Sequence, residues 1–393
     1  MQLADFEFLL TQEGQQWLRQ TAQTTITPTN HLQLAAQLRM HLSPNQAQAI
    51  LETTLLRQRG IGKFSHAAEM YFTRPALEQA SSEIVSRYRA QRFHQAGIRA
   101  IADLGCGIGG DALALAEQAE VTGVEWDPVR LAMAQENVHV YGNGQRFHPL
   151  QADLLSLSPL PVAGLFFDPA RRDERGRRFF SVYDYQPPLS FIDRWREQVG
   201  ETAVKISPGV DYAELPTDVE VEFISVQGEV KEAVLWYGRL QTGVRRRATL
   251  LPAGLALTTK DETDTIAVTP PKQFLYEPDG AVIRAHLVET LATRIRAAKI
   301  DDDIAYLTAN EAIDTPFARC FTVEDYFPFQ LKRLRRYLHE HQIGQVIIKK
   351  RGSPLDPDKL IQQLRLRKSD TGSCVVFLTF VGGETAVIIG QER

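Results

Sequence analysis

The sequence predicts an α/β protein: a doubly wound sheet, with a helical region before it and an α+β region after it. Three observations carry this. The first is Ile-Ala-Asp-Leu-Gly-Cys-Gly-Ile-Gly-Gly at 101–110, where the short apolar run from Ala100 to Leu104 leads into glycines 105, 107, 109 and 110. Asp111 to Ala119 then reads as a helix, so the unit is strand, Gly-rich turn, helix. The second is another strand, Val121 to Trp126, with Glu125 near its end, where an acid suits the two hydroxyls of a ribose. The third is the run of short strands up to Leu240, whose last two are separated only by Gln227 to Glu232 and read as an antiparallel pair.

Residues 1 to about 95 are the predicted N-terminal helical region. The pattern predicts helices over Phe6 to Arg19, His31 to Arg39, Asn45 to Arg57, Ala67 to Phe72 and Pro75 to Ala90. Ser43-Pro44-Asn45 supplies a helix start with proline near the first turn. The sheet domain is expected over 96–245. After its second strand comes a helix from Pro128 to Tyr141, capped by Asp127. A third strand holds Phe147 and Leu150, a fourth is Leu165 to Asp168, and a fifth is Thr202 to Ile206. Val219 to Val226 and Ala233 to Leu240 bring the expected count to seven.

A small α+β linker domain is expected over 246–319, with an amphipathic helix from Ala281 to Ala298 and a brief strand from Ala305 to Leu307. A last domain covers 320–393. It reads as helix Phe329 to His341, strand Gln345 to Lys349, helix Pro357 to Leu366, and strands Val375 to Phe380 and Thr385 to Ile389 around Gly382-Gly383. Thr258 to Thr269 reads as a solvent-facing turn or hairpin.

The chain has 393 residues, 44% hydrophobic and 23% charged, which is ordinary for a water-soluble protein with a large core. A net charge of -4 advertises no nucleic acid globally, yet leaves room for a local basic face. The three cysteines, Cys106, Cys320 and Cys374, have no metal-ligand spacing, and their odd number argues against a disulfide scaffold. His94, His139 and His148 show no such spacing either, so no metal is expected. No secretory leader is read in the first thirty residues and no apolar run is long enough for a bilayer, so the expected location is the cytoplasm.

Asp103-Leu-Gly-Cys-Gly-Ile-Gly-Gly110 resembles the first motif of class I S-adenosylmethionine-dependent methyltransferases. The resemblance implies their seven-stranded, Rossmann-like methyltransferase sheet and S-adenosyl-L-methionine as cofactor. It also implies that Asp103 and Gly105, in the turn with Gly107 and Gly109, lie near the methionine part. Glu125 would hold the ribose, Trp126 would flank the adenine, and Asp153 in Gln-Ala-Asp would meet the adenine amine. Such enzymes often lay a segment preceding the first strand over the methionine end. Tyr71, Phe72, Thr73 and Arg74 stand at that position, with Thr73 the cofactor-binding candidate.

Leu-Phe-Phe-Asp-Pro-Ala-Arg-Arg at 165–172 ends the fourth strand and resembles the fourth motif of methyltransferases acting on nucleobase nitrogens. Asp168 and Pro169 are catalytic candidates by that resemblance, and Arg171 is one because the arginine after Pro169-Ala170 resembles that in the Asp-Pro-Pro-Arg of uracil-carbon methyltransferases. The acid accepts amine hydrogens and aims the nitrogen lone pair, which is positioning chemistry. Ala170 replaces the motif's second proline, and no aromatic follows directly. The span from Asp127 to Asp168 also resembles the trimethylguanosine synthase group of guanine-N2 methyltransferases. The whole chain is similar to bacterial class I methyltransferases with a C-terminal THUMP-like domain. It carries Phe167 to Arg172, Tyr276-Glu277-Pro278-Asp279, and a tail with Lys349-Lys350-Arg351-Gly352.

Arg171, Arg172, Arg175, Arg177 and Arg178, with Phe179, Phe180, Tyr183 and Tyr185 behind them, can engage phosphates and stack on bases. The tail adds Lys332, Arg333, Arg335 and Arg336 on one helix, Lys349, Lys350 and Arg351 ending a strand, and Arg365, Arg367 and Lys368 after another helix. Arg172, Arg175, Arg177, Lys332, Arg336 and Lys350 are the substrate-binding candidates. The expected function is methylation of a base nitrogen in structured RNA, with tRNA favoured. Two alternatives stay open: a small-molecule or protein methyltransferase, and an RNA-binding protein with an inactive methyltransferase fold.

Overall fold

The computed structural model describes residues 1–170, 181–259, 265–367 and 371–393. They form two compact units, residues 1–220 with 233–242, and residues 221–232 with 243–393.

The first unit opens with helices α1 (Leu3–Leu10) and α2 (Gln12–Thr21), where the sequence predicts one. Thr11 breaks it: its backbone is extended and its hydroxyl accepts the Gly14 N–H at 3.1 Å. Gly14 lets the two helices close up, because a Cβ there would collide with the Phe8 carbonyl oxygen. Helices α3 (His31–Arg39) and α4 (Pro44–Gly60) follow, the latter with a reciprocal cap between Ser43 and Gln46. Residues 67–69 are a turn and 70–72 are irregular, not the expected helix, because the Tyr71 backbone is bonded to the Asn137 side chain instead. The helix predicted over Pro75 to Ala90 is two, α5 (Arg74–Gln79) and α6 (Glu83–Gln95), broken where Ala80 turns extended.

The first sheet contains β1 (Ala100–Leu104), β2 (Glu120–Glu125), β3 (Phe147–Gln151), β4 (Gly164–Phe167), β5 (Thr202–Ile206), β6 (Glu220–Val226), β7 (Glu229–Trp236), β8 (Arg246–Leu251) and β9 (Leu255–Thr259). Helices α7 (Ala112–Leu115), α8 (Pro128–Val140) and α9 (Asp193–Arg196) connect its earlier strands. The order is β3-β2-β1-β4-β5-β7-β6-β8-β9. Strands β1 to β5 are mutually parallel, while β7 runs antiparallel to β5. The sheet therefore has nine strands, not seven. The two further strands come from the stretch after Arg245, which pairs parallel with β6, and β9 folds back on it. The chain leaves β1 for β2 and β3 on one side and returns to β4 on the other. That reversal opens a crevice at the carboxyl ends of β1 and β4, where doubly wound sheets take ligands.

The second unit adds a seven-stranded sheet from β10 (Phe274–Pro278), β11 (Ala298–Lys299), β12 (Leu307–Ala309), β13 (Ala318–Pro328), β14 (Ile343–Lys350), β15 (Gly372–Val381) and β16 (Glu384–Glu392). Its order is β11-β12-β10-β13-β16-β15-β14. The expected helix from Ala281 to Ala298 is two short ones, α10 (Gly280–Arg284) and α11 (Val288–Arg294). His286 adopts φ 53° and the Leu287 N–H reaches back to the Val282 carbonyl at 2.9 Å, which closes α10 with a left-handed cap. Helices α12 (Leu331–Glu340) and α13 (Pro357–Leu364) bury Leu334, Leu338, Leu360 and Leu364 against Val376, Leu378, Val387 and Ile389. Phe321, Phe377 and Tyr306 belong to a second cluster in this unit. Among the described residues, no helix is long and apolar enough to cross a membrane.

Candidate active site

The turn after β1 is shaped by its glycines. Gly105, Gly107 and Gly109 have φ of 82°, 56° and 80°, a region that side chains rarely adopt. Gly109 also packs close on α8, since a Cβ there would lie 3.1 Å from the Ala134 Cα. Gly107 faces open space: an added Cβ meets nothing within 4 Å. At Gly105 it would meet only the Asp168 carbonyl oxygen, at 3.5 Å. The backbone is thus bare where a ligand could approach it.

Asp103 sits just before this turn, 1% exposed, and its Oδ2 has no hydrogen-bond partner among the described residues. Burial, then Asp111 and Asp168, push its carboxyl well above the usual carboxylate range. Arg89 and Lys205 oppose that push. Arg89, on α6, pairs with Asp111, and the Ser86 hydroxyl donates to the same carboxylate at 2.8 Å. Burial would raise the Asp111 carboxyl, but Arg89, Lys205 and the Ser86 bond hold it below the usual range. Among the described residues, Asp103, Asp111 and Asp168 therefore gather here with Arg89 and Lys205, three carboxylates and two cations. Burial and the charges of Asp103 and Glu125 raise the Cys106 thiol well above its ordinary value, so this cysteine fills space and is no ready nucleophile.

Glu125 ends β2 and is buried. Its Oε1 accepts the N–H groups of Trp126 and Asp127, both at 3.0 Å, and its Oε2 accepts that of Gly107 at 3.1 Å. The same acid expected at a ribose also ties the second strand to the glycine turn. Trp126 is 68% exposed, an aromatic face with little packed on it. Asp153 is exposed beyond β3 and accepts the Leu155 N–H at 3.0 Å. Thr73 caps α5 through the Ala76 N–H at 3.3 Å. Its segment is brought to the turn by Asn137 of α8, whose fully buried amide bonds the Tyr71 N–H and carbonyl and the Ile108 carbonyl at 2.7, 2.9 and 2.8 Å. The rings of Tyr71 and Phe72 point into the core.

Asp168 follows β4. Its side chain is 24% exposed, and its Oδ2 accepts a bond from Lys205 Nζ at 2.6 Å. The register explains the contact: Phe167 lies opposite Val204 on parallel strands, so the next residues, Asp168 and Lys205, fall side by side. Pro169 is buried, and Ala170 exchanges two backbone bonds of 3.0 Å with Gln186. Arg171, Arg172, Arg175 and Arg177 lie outside the described residues, as do Arg178, Phe179, Phe180, Lys368 and 260–264. Tyr185 is buried, its hydroxyl accepting the Ser207 N–H at 3.1 Å, whereas Tyr183 is exposed.

In the second unit, Lys332 and Arg336 line one groove of about 440 Å³ with Arg335, His339, Glu340 and Arg367. Lys350 is not part of that lining; its ammonium donates to the Leu355 carbonyl at 3.2 Å.

Sequence reasoning missed Lys205, Arg89 and Asn137. Lys205 had a readable signal: one lysine inside Thr-Ala-Val-Lys-Ile, an otherwise uncharged strand that is buried throughout. Arg89 and Asn137 look like ordinary helix-surface residues until the helices are placed.

The bare backbone at Gly107 and the partnerless oxygen of Asp103 fit the amino-acid end of S-adenosylmethionine. Its ammonium would give the three carboxylates a third cation.

Three family models match the chain: a domain of unknown function over residues 2–60, RNA cap guanine-N2 methyltransferase over 98–189, and THUMP domain-like over 318–392. The chain is 39% identical over 341 residues to an uncharacterized S-adenosylmethionine-dependent methyltransferase found in two strains of Mycobacterium tuberculosis. That match covers 83% of this chain and 91% of the relative. A crystal structure of a candidate methyltransferase from Porphyromonas gingivalis superposes with a TM-score of 0.75 at 21% identity, covering 94% of this chain and 100% of that one. The latter likeness is one of fold.

Proposed function

We propose that this chain, which belongs to the bacterial class I S-adenosylmethionine-dependent methyltransferases with a C-terminal THUMP-like domain, methylates a base nitrogen in a structured RNA, with tRNA the favoured substrate. Its cofactor is S-adenosylmethionine. When bound, the cofactor supplies an electrophilic methyl group on a sulfonium and leaves as S-adenosylhomocysteine.

The observation that carries the reading is Asp168: a half-open carboxylate, one residue beyond β4, whose own carbonyl borders Gly105. In this reading Asp103 and the turn of Gly105, Gly107 and Gly109 hold the methionine part, with Thr73 beside it. Glu125 holds the ribose, while Trp126 and Asp153 attend the adenine. The Asp168 oxygen that Lys205 does not hold accepts a hydrogen of the target nitrogen and aims its lone pair. Alignment of that kind lowers the barrier without a strong base. Pro169 fixes the exit of the chain, and Arg171 holds phosphate or a base edge near the acid. Arg172, Arg175 and Arg177 extend that contact. The basic groove of Lys332 and Arg336 supports RNA as the partner, as does the THUMP-like domain that contains it. Lys350 adds charge from β14. RNA of this kind puts the protein in the cytoplasm.

The test is methyl transfer from labelled cofactor into total RNA of a strain lacking the gene, followed by nucleoside mass spectrometry. One labelled base nitrogen is the expected result. Label confined to protein or small molecules would sink the RNA reading.

A further inference from the structure

Lys205 has no place in the roles above, yet it is among the most expensively placed residues of the fold. It lies within β5, where every residue is buried, and is itself only 2% exposed. Taking an ammonium out of water is costly unless a partner compensates it. Its hydrogen-bond partner among the described residues is Asp168 Oδ2, at 2.6 Å. The two arise from adjacent positions on neighbouring parallel strands, so the sheet itself fixes their spacing. Lys205 is more enclosed than Asp168, whose side chain stays 24% exposed. One oxygen of Asp168 is thus held from the core side, and the other has no partner among the described residues. An apolar residue at 205 would leave the carboxylate without this bond and so free to rotate.

We propose that Lys205 is a positioning residue for methyl transfer: by holding Oδ2, it presents Oδ1 of Asp168 in one orientation to the acceptor. This rests on the role given to Asp168 above. In the step it serves, the acceptor nitrogen forms its bond to the methyl carbon as the carbon–sulfur bond breaks. The electron pair of that bond stays on sulfur, and the nitrogen's proton leaves to water. Lys205 touches neither reacting atom. It removes a rotational freedom of Asp168 that the transition state would otherwise have to freeze.

The experiment measures single-turnover methyl transfer from labelled S-adenosylmethionine into an extract of cells lacking the gene, fractionated into RNA, protein and small molecules. Cofactor affinity is measured by calorimetry on the same proteins. Lys205→Met is expected to lower the rate at saturating cofactor by about 30-fold or more, a larger loss than the change in cofactor affinity that follows from removing a cation near Asp103. Lys205→Arg, which keeps the cation, should recover most of the rate. The double variant Asp168→Asn with Lys205→Met should be no slower than Asp168→Asn alone, because the lysine acts through the acid. A wild-type rate in Lys205→Met overturns the proposal. So does a loss of rate matched by an equal loss of cofactor affinity, or rate losses that multiply in the double variant. If Lys205→Met does not fold, Lys205→Gln against Lys205→Arg carries the same comparison. The fraction that takes the label tests the RNA reading separately, since Lys205 is judged by rate in whichever fraction the wild type labels.

Discussion

The crevice of the first sheet and the second sheet both contain charged side chains out of full contact with water, and they treat them differently. In the second unit such charges are met by partners. Glu277, from Tyr-Glu-Pro-Asp, bonds Lys349, from Lys-Lys-Arg-Gly, and buried Asp301 accepts the N–H groups of Asp303 and Gly383. The two sequence motifs that marked the family are therefore joined by an ion pair. Asp279 of the first motif caps α10, and Gly352 of the second fits where a Cβ would meet Ile304 and Phe380. At the crevice the sum does not close among the described residues. Arg89 and Lys205 face Asp103, Asp111 and Asp168, and one oxygen of Asp103 has no partner among the described residues. Compensated charge maintains a shape, whereas an uncompensated buried carboxylate is poised for a cationic ligand.

The sharpest way to break this contrast is at Asp168. Asp168→Ala should lower single-turnover methyl transfer by a factor of about 100 or more while leaving cofactor affinity almost intact. A near-wild-type rate would remove the acid from the chemistry. Parallel loss of cofactor binding and fold would make it a turn cap.

Asp103 sharpens the contrast through pH. Its carboxyl is held well above 3.8 in the cofactor-free protein, first by burial and then by Asp111 and Asp168. An ammonium beside it favours the charged form, so cofactor binding should expel a proton. Affinity should then rise with pH through the window between 3.8 and the raised value, and level off above it. Stability of the cofactor-free protein runs the other way. Its native state binds more protons than the unfolded chain in that window, so this contribution is lost as pH rises. Calorimetry in buffers of different ionisation enthalpy would reveal the proton. Asp103→Asn should abolish it and weaken binding roughly tenfold, about 1.4 kcal/mol. A pH-independent affinity would show that the ligand meets no titrating acid.

The basic groove should behave as a surface and not as a built pocket. Lys332→Ala with Arg336→Ala is expected to weaken tRNA binding about three- to tenfold and to flatten its dependence on salt. Filter binding at several ionic strengths checks both. An unchanged salt slope would take these residues off the RNA path.

The smallest effect belongs to the paired charges. Glu277→Gln should cost about 1–2 kcal/mol in thermal unfolding, since the pair is only partly buried, and leave cofactor affinity unchanged. A change in cofactor affinity would mean that the tail motifs serve more than the fold of their own unit.

Much of the crevice was legible because its strands are buried and its turn is punctuated. Ala100 to Leu104 and Thr202 to Ile206 read as strands and have those bounds in the structure. Glycines marked the turn, and Asp127 and Pro128 marked the start of α8. Other strands lacked such signals. β8 opens on Arg246-Arg247, and β13 sets charged or polar residues on its outer positions, so neither forms an apolar run. The reach of Lys205 to Asp168 was hidden for another reason. It depends on the register between two strands, which no residue near either of them encodes.

Asn137 carries a consequence for how the protein matures. One amide holds a carbonyl 29 residues before it, and the N–H and carbonyl of a residue 66 before it. Neither local segment can complete these bonds alone, so the front helices, the glycine turn and α8 should lock in a single late event. The Tyr71 amide proton would then exchange with deuterium only when its bond to Asn137 opens. Its exchange rate is a clock for the opening of the crevice, readable without substrate or product.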